Sequence, residues 1–156
     1  FAAMEAGEKH GIQVECSASR NINLLIERFC PGEFSLTPSG EISICTRISA
    51  PQDPGYSDSI FGRIENGEMK IDREKYAWLL NDDVFRKEKC SNCFARFHCG
   101  GGCQAQQYIY STEVQEVICD YTRNFVRRVL LDRLEKQYAE YYGTTLKAAV
   151  AANPAI

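Results

Sequence analysis

The residues with the most pronounced chemistry are eight cysteines in 156 residues. Four of them, Cys90, Cys93, Cys99 and Cys103, follow the pattern C-x2-C-x5-C-x3-C, and Gly100-Gly101-Gly102 separates the last two. Two cysteines spaced by two residues can turn both sulfurs toward one metal while the intervening backbone N–H groups face those sulfurs. That knuckle serves zinc and iron–sulfur clusters alike, so Cys90 and Cys93 point to a metal without choosing it. Three glycines let the backbone take positive φ and come close to the site with no Cβ in the way. Such freedom suits a bulky cluster whose sulfurs take N–H donors. A merely flexible loop has no need of a cysteine at both ends of its glycines.

The other cysteines are Cys16, Cys30, Cys45 and Cys119. Cys30 and Cys45 bracket Gly40 as C-x9-G-x4-C. A turn at Gly40 brings these two cysteines toward each other. Cys45 is out of phase with Ile42 and Ile44, which places it on the opposite strand face, as suits a ligand better than a core thiol. Cys119 is expected just before the N-cap of a long helix, where the partial positive charge favours a thiolate. Cys16 shares strand phase with Ile12 and Val14 and reads as a core thiol.

The ordered set Cys30, Gly40, Cys45, Cys90, Cys93, Cys99, Cys103 and Cys119 resembles the SPASM domain. That domain is the C-terminal auxiliary iron–sulfur extension of radical S-adenosylmethionine (SAM) enzymes that modify peptides and proteins, as in anaerobic sulfatase maturation. The resemblance covers about Asn21 to Arg123. It implies two [4Fe–4S] clusters: Cys30, Cys45 and Cys103 at the first, and Cys90, Cys93, Cys99 and Cys119 at the second. Cys99 and Cys103 would then serve different clusters and tie the two halves into one folding unit. Some members add an upstream ligand to the first cluster, the alternative role for Cys16. The implied function is electron relay, substrate positioning or both. The implied partners are a peptide or protein substrate, the parent chain's radical SAM domain and an electron donor such as flavodoxin or ferredoxin, in the cytoplasm.

The C-x3-C-x2-C triplet that holds the SAM-cleaving cluster in such enzymes does not occur in this sequence. The expectation is a C-terminal fragment of an oxidoreductase, not catalytic alone, with SAM a cofactor only of the parent. A competing reading is a zinc-binding structural or interaction module without redox role. Thiolate sites accept zinc readily, above all in protein prepared in air. A disulfide scaffold is disfavoured because no export signal is seen.

The elements that must position these thiols give an α+β expectation: a small cysteine-rich domain with a β-hairpin and helices around two metal-cluster sites. It is preceded by the last helix–strand piece of an α/β partial barrel. The expected units are residues 1–20 as the barrel remnant, 21–143 as the auxiliary domain and 144–156 as a flexible, alanine-rich tail. A helix is expected over Phe1–His10, stopped by Gly11, then a strand over Ile12–Cys16, a polar loop over Ser17–Asn21 and a short helix over Ile22–Phe29. Alternation on both sides of Thr37-Pro38-Ser39-Gly40 predicts a hairpin over Glu33–Ile48. Ala50–Ser59 reads as loop, Ile60–Ile64 as a strand and Asn66-Gly67 as a turn. Asp72 caps a predicted helix over Arg73–Leu80 that places Tyr76, Leu79 and Leu80 on one side. Asp82-Asp83 caps a further turn, Gln104–Ser111 is helical, and Asp120 caps the longest helix, Tyr121–Tyr142. Its buried stripe is Phe125, Val126, Val129, Leu130, Leu134, Tyr138 and Tyr141, and Gly143 ends it.

A net charge of −3 gives no electrostatic case for nucleic acid or an anionic membrane. No apolar run approaches the ~20 residues that span a bilayer. His98 has zinc-ligand chemistry but reads as a partly exposed loop residue. Tyr76, Trp78, Tyr108 and Tyr110 read as core aromatics rather than a peptide groove. Arg127, Arg128 and Arg133 read as a solvated helix face. No nucleophile-elbow, Walker or paired-carboxylate motif is present.

Overall fold

The structure is a computed structural model that describes residues 1–16 and 21–153. Its class is α+β, with one four-stranded antiparallel sheet and seven α-helices among the described residues. Helix α1, Ala2–Lys9, ends as expected: the His10 N–H donates to Gly7 O at 3.0 Å, and Gly11 follows with φ 67°. No strand forms over residues 12–16. Alternation alone does not make a strand without a neighbour to share its hydrogen bonds. Here the segment folds back on α1 instead, and the Ile12 N–H donates to Gly7 O at 2.9 Å. Most of the loop expected over Ser17–Asn21 lies outside the described residues.

The helix expected over Ile22–Phe29 is also absent. Asn21–Asn23 forms one 3-10 turn, and the rest is irregular. Its backbone bonds go to distant segments: Ile26 N–H to Phe97 O at 2.8 Å, Phe29 N–H to Gly100 O at 2.8 Å, and Val84 N–H to Glu27 O at 2.9 Å. Ile22 is buried, while Leu24 and Leu25 are exposed.

The hairpin is present, with strands shorter than the span read from the sequence. Strands β1 (Ser35–Leu36) and β2 (Glu41–Ser43) pair antiparallel, with Leu36 opposite Ile42. The Gly40 N–H closes the turn on Thr37 O at 3.0 Å. The following loop contains one helical turn, α2 (Tyr56–Ser59), and Asp53 Oδ2 braces it by accepting from the Ser49 and Ala50 N–H groups at 2.8 Å each. Strand β3 (Ile60–Glu65) pairs with β2 and with β4 (Glu68–Ile71), giving the order β1-β2-β3-β4. Asn66 and Gly67, with φ 52° and 78°, form the two-residue turn that joins them.

Helix α3 spans Arg73–Leu80, and Asp72 Oδ1 accepts from the Lys75 N–H at 2.9 Å. It lays Leu79 on the sheet, with Tyr76 and Leu80 beside it, against Ile42, Ile44 and Phe61. Within this cluster the Tyr76 ring stacks on Phe61 at 4.7 Å, and Cys45 packs at its edge.

Helices α4 (Arg96–Cys99) and α5 (Gln104–Ile109) lead to α6, Thr112–Tyr142, a helix of 31 residues. It starts well before Tyr121: Ser111 is the N-cap and Glu113 lies in the first turn. Asp120 is therefore interior and bonds to Arg123 at 2.6 Å. Phe125, Val126 and Val129 are buried with Ile22 and Ala95, and Phe1, Met4 and Cys93 pack against them. Beyond that point Leu130, Leu134 and Tyr141 of the expected stripe are exposed, Tyr141 at 81%, and Tyr138 is half-buried. The helix simply outruns the elements that could bury it. Gly143, φ 68°, ends it. Much of the expected flexible tail is a further helix, α7 (Leu146–Ala152), capped by Thr145 Oγ1 accepting from the Ala148 N–H at 3.1 Å. No helix among the described residues is long and apolar enough to cross a membrane.

Candidate metal centre

The cysteine loop lies between the two hydrophobic clusters, one bordered by Cys93 and the other by Cys45. Glu88–Cys90 is a 3-10 turn, and the Cys93 N–H donates to Cys90 O at 3.1 Å, so the knuckle is a local turn. Helix α4 then delivers Cys99 to the glycine run. Gly100, Gly101 and Gly102 all take the left-handed conformation, with φ 64°, 77° and 78°, as their side-chain-free backbone permits. At Gly100 the second reason for glycine is space: a Cβ there would lie 2.5 Å from the backbone nitrogen of Phe29.

Five thiols, Cys90, Cys93, Cys99, Cys103 and Cys119, line one cavity of about 300 Å³, and Cys16 stands at it as well. Cys16 is exposed, so it is not the core thiol its strand phase implied. The strand that would have buried it does not form. Cys119 lies inside α6 rather than at its N-terminus, so the positive end of a helix dipole does not act on it. Cys30 and Cys45 lie outside the cavity lining. Among the described residues, no three His, Cys, Asp or Glu side chains converge as a group that could hold a metal ion.

Several of the thiols nonetheless bear on one another's charge. Burial pushes the Cys99 thiol up; N–H groups of Gly102 and Gly101 pull it down, and Cys119 and Cys90 push it up further. Cys90 is likewise raised by burial, opposed by the Lys87 ammonium and raised by Cys93 and Cys119. Cys45 is raised by burial, opposed by the Arg47 N–H, and raised by Cys103 and Cys30. These influences fall off with distance. They relate Cys99 to Cys90 and Cys119, Cys90 to Cys93, and Cys45 to Cys30 and Cys103. Cys103, just past the glycines, borders the cavity while acting on Cys45.

Two cationic residues near the sulfurs escaped the sequence reading. Arg123 is held by Asp120 and lines the same cavity as Cys93 and Cys119. It follows Cys119 by four residues, a helical spacing that could have flagged it. Lys87 sits beside Cys90 and bonds Asp82 at 2.8 Å. Of the acidic pair expected to cap a turn, only Asp83 does so, accepting from the Phe85 N–H at 2.8 Å.

His98 lines the cavity, and its Nδ1 is buried without a partner among the described residues. Tyr76 is a core residue as expected, but Trp78 is exposed. The arginines of α6 are not simply solvated. Arg128 covers the Phe1 ring at 3.9 Å, Arg127 lies over Phe94 at 5.5 Å, and Arg133 donates to Asn23 Oδ1. Compared with protein-family models, with curated proteins and with solved structures, the chain matches none.

Proposed function

We propose that this chain is an auxiliary iron–sulfur domain with two [4Fe–4S] sites, Cys30, Cys45 and Cys103 at one and Cys90, Cys93, Cys99 and Cys119 at the other. The observation that supports the reading is the cavity beside the glycine run, lined by Cys90, Cys93, Cys99, Cys103 and Cys119, with Cys45 acted on by Cys30 and Cys103. The donor chemistry fits: soft thiols, a glycine run beside them and a cavity of about 300 Å³. A single tetrahedral zinc needs four sulfurs at ~2.3 Å, hence about 3.8 Å from one another. A cavity of about 300 Å³ lined by five of the thiols leaves room for a group with several metal atoms.

When bound, such clusters supply one-electron transfer, with potentials set by hydrogen bonds to sulfur and by exposure. The chain's own contribution is to hold the thiolates and to surround them with Ala95, Phe29 and α6, which line the same cavity. In this reading the domain relays electrons or positions a peptide or protein substrate for a radical SAM domain, with a flavodoxin- or ferredoxin-type donor, and does not cleave SAM itself.

The test is anaerobic reconstitution followed by iron and sulfide counts. The expected result is about eight irons and eight sulfides per chain, two clusters' worth. Near-zero iron in a well-folded sample, or stoichiometric zinc retained after anaerobic, iron-replete production, refutes the proposal.

A further inference from the structure

The C-terminal half of α6 carries a second apolar face. At about 100° per residue, the buried Phe125, Val126 and Val129 point about 150° away from a stripe formed by Leu130, Leu131, Leu134, Tyr138, Tyr141 and Tyr142. All of these but Tyr138 are between 37% and 81% exposed, although α7 follows directly on the end of the helix. Three leucines and three tyrosines along one side of a helix form a face of the kind that is normally covered, whereas a solvated face is polar.

The charges along this stretch select the cover. Reflected about Leu134, every charged residue from Arg128 to Glu140 meets its opposite: Arg128 falls on Glu140, Asp132 on Lys136 and Arg133 on Glu135. In the same reflection Leu130 falls on Tyr138. Two copies lying antiparallel across a two-fold axis at Leu134 make this reflection in space, because in a symmetric contact residue i meets j and j meets i. A parallel pair would set every charge against its own copy, which is repulsive throughout. The exposed part of the apolar stripe amounts to about 500 Å² per copy. With the flanking charged side chains a pair reaches the ~1,200 Å² at the low end of specific interfaces.

We propose that this face of α6 is the seat of a second copy of the chain, the two helices lying antiparallel about Leu134. Asp132 and Lys136 already pair within one helix at 3.2 Å, and in the dimer each gains a second partner from the other copy. The contact lies beyond Val129, whereas the α6 residues that line the thiol cavity end at Arg123. Dimerisation is therefore independent of what the thiols hold.

The test is sedimentation equilibrium of the whole chain, kept reduced so that no intermolecular disulfide forms. It is run metal-free or zinc-loaded, whichever form shows the full helical circular dichroism. The wild-type mass should rise from monomer to dimer between about 1 and 200 µM, as a weak interface of this size requires. Leu134→Glu sets two carboxylates against each other at the axis and should weaken the dimer by about a hundredfold or more, with its helical signal unchanged. Lys136→Glu places an acid opposite Asp132 of the other copy twice over and should weaken it by about tenfold. Asp132→Lys combined with Lys136→Glu restores the opposition and should recover the wild-type value. A wild-type chain that stays monomeric, or Leu134→Glu that dimerises as well as wild type, overturns the proposal. A Lys136→Glu chain that dimerises normally, or a double variant that does not recover, overturns the antiparallel arrangement about Leu134.

Discussion

Replacing Gly100 by alanine should be the most damaging single-methyl change in the glycine run. Two costs combine. The residue sits at φ 64°, where an L-residue pays about 1–2 kcal/mol. The new Cβ would also lie 2.5 Å from Phe29 N and 2.7 Å from the Arg28 carbonyl carbon. Both are backbone atoms, and neither can swing aside as a side chain would. Relieving such a contact costs about 1–3 kcal/mol, for a total of about 2–5 kcal/mol. Gly102→Ala supplies the control, since its φ is 78° but the nearest atom to its Cβ would be Gln106 Oε1 at 3.9 Å. Only the conformational cost of about 1–2 kcal/mol applies there. Gly143→Ala, at φ 68° with nothing within 4 Å, should match it. Urea unfolding of the reduced chain, followed by far-UV circular dichroism, reads the series. With a slope of about 2 kcal/mol per molar, the steric part alone lowers the Gly100→Ala midpoint by about 0.5–1.5 M beyond the controls. If Gly100→Ala is no worse than Gly143→Ala, the packing of the glycine run on Arg28 and Phe29 is wrong.

Asp72→Ala removes the acceptor of the Lys75 N–H and should cost about 1 kcal/mol, readable by the same urea titration and recovered in Asp72→Ser. Phe61→Ala opens the centre of the sheet cluster and should cost about 3–5 kcal/mol in that titration. The N–H groups of Ser49 and Ala50 hold the Asp53 carboxyl below its ordinary range. Its stabilisation is present above the unfolded value of about 3.9 and is lost as pH falls through the lower folded value. Asp53→Asn should therefore flatten the fall in stability below pH 4, measured by thermal melts across pH. Under the two-site reading, Cys103→Ser and Cys99→Ser should each impair one site; double-variant iron loss larger than the sum would show coupling between them.

Elements with their own local signals were legible in the sequence. Helix α3 was read to the residue because Asp72, the spacing of Tyr76, Leu79 and Leu80, and the absence of an interior breaker agree. The hairpin was marked by Pro38 and Gly40. Elements that depend on a neighbour were not. Residues 12–16 alternate like a strand but have no strand beside them, and Cys16 consequently stands at the cavity instead of in the core. Strand β4 was missed although Asn66-Gly67 is a strong hairpin signal, because Glu68, Met69 and Lys70 show no buried face. The start of α6 was misplaced because Asp120 has cap chemistry, whereas the real cap, Ser111, precedes a stretch whose Val114 and Val117 stay exposed. At the site, the cysteine spacing named the candidate ligands, but Lys87 and Arg123 carry no motif. Their places beside the sulfurs are local, Lys87 just before the 3-10 turn that ends at Cys90 and Arg123 four residues past Cys119 on α6, but neither spacing is a motif of its own.

The three left-handed glycines also bear on the order in which the chain organises itself. Glycine loses more backbone freedom on folding than any other residue, by roughly 0.5–1 kcal/mol relative to alanine. A run of three is thus the most expensive short stretch to immobilise, and apolar burial gives little return for it. The two hydrophobic clusters on either side of the run have the opposite balance. They should settle early, bringing Cys93 and Cys45 to their places, and the glycines should lock last. The centre is then the final feature to acquire its shape, and whatever the thiols capture arrives at a chain that is otherwise already built.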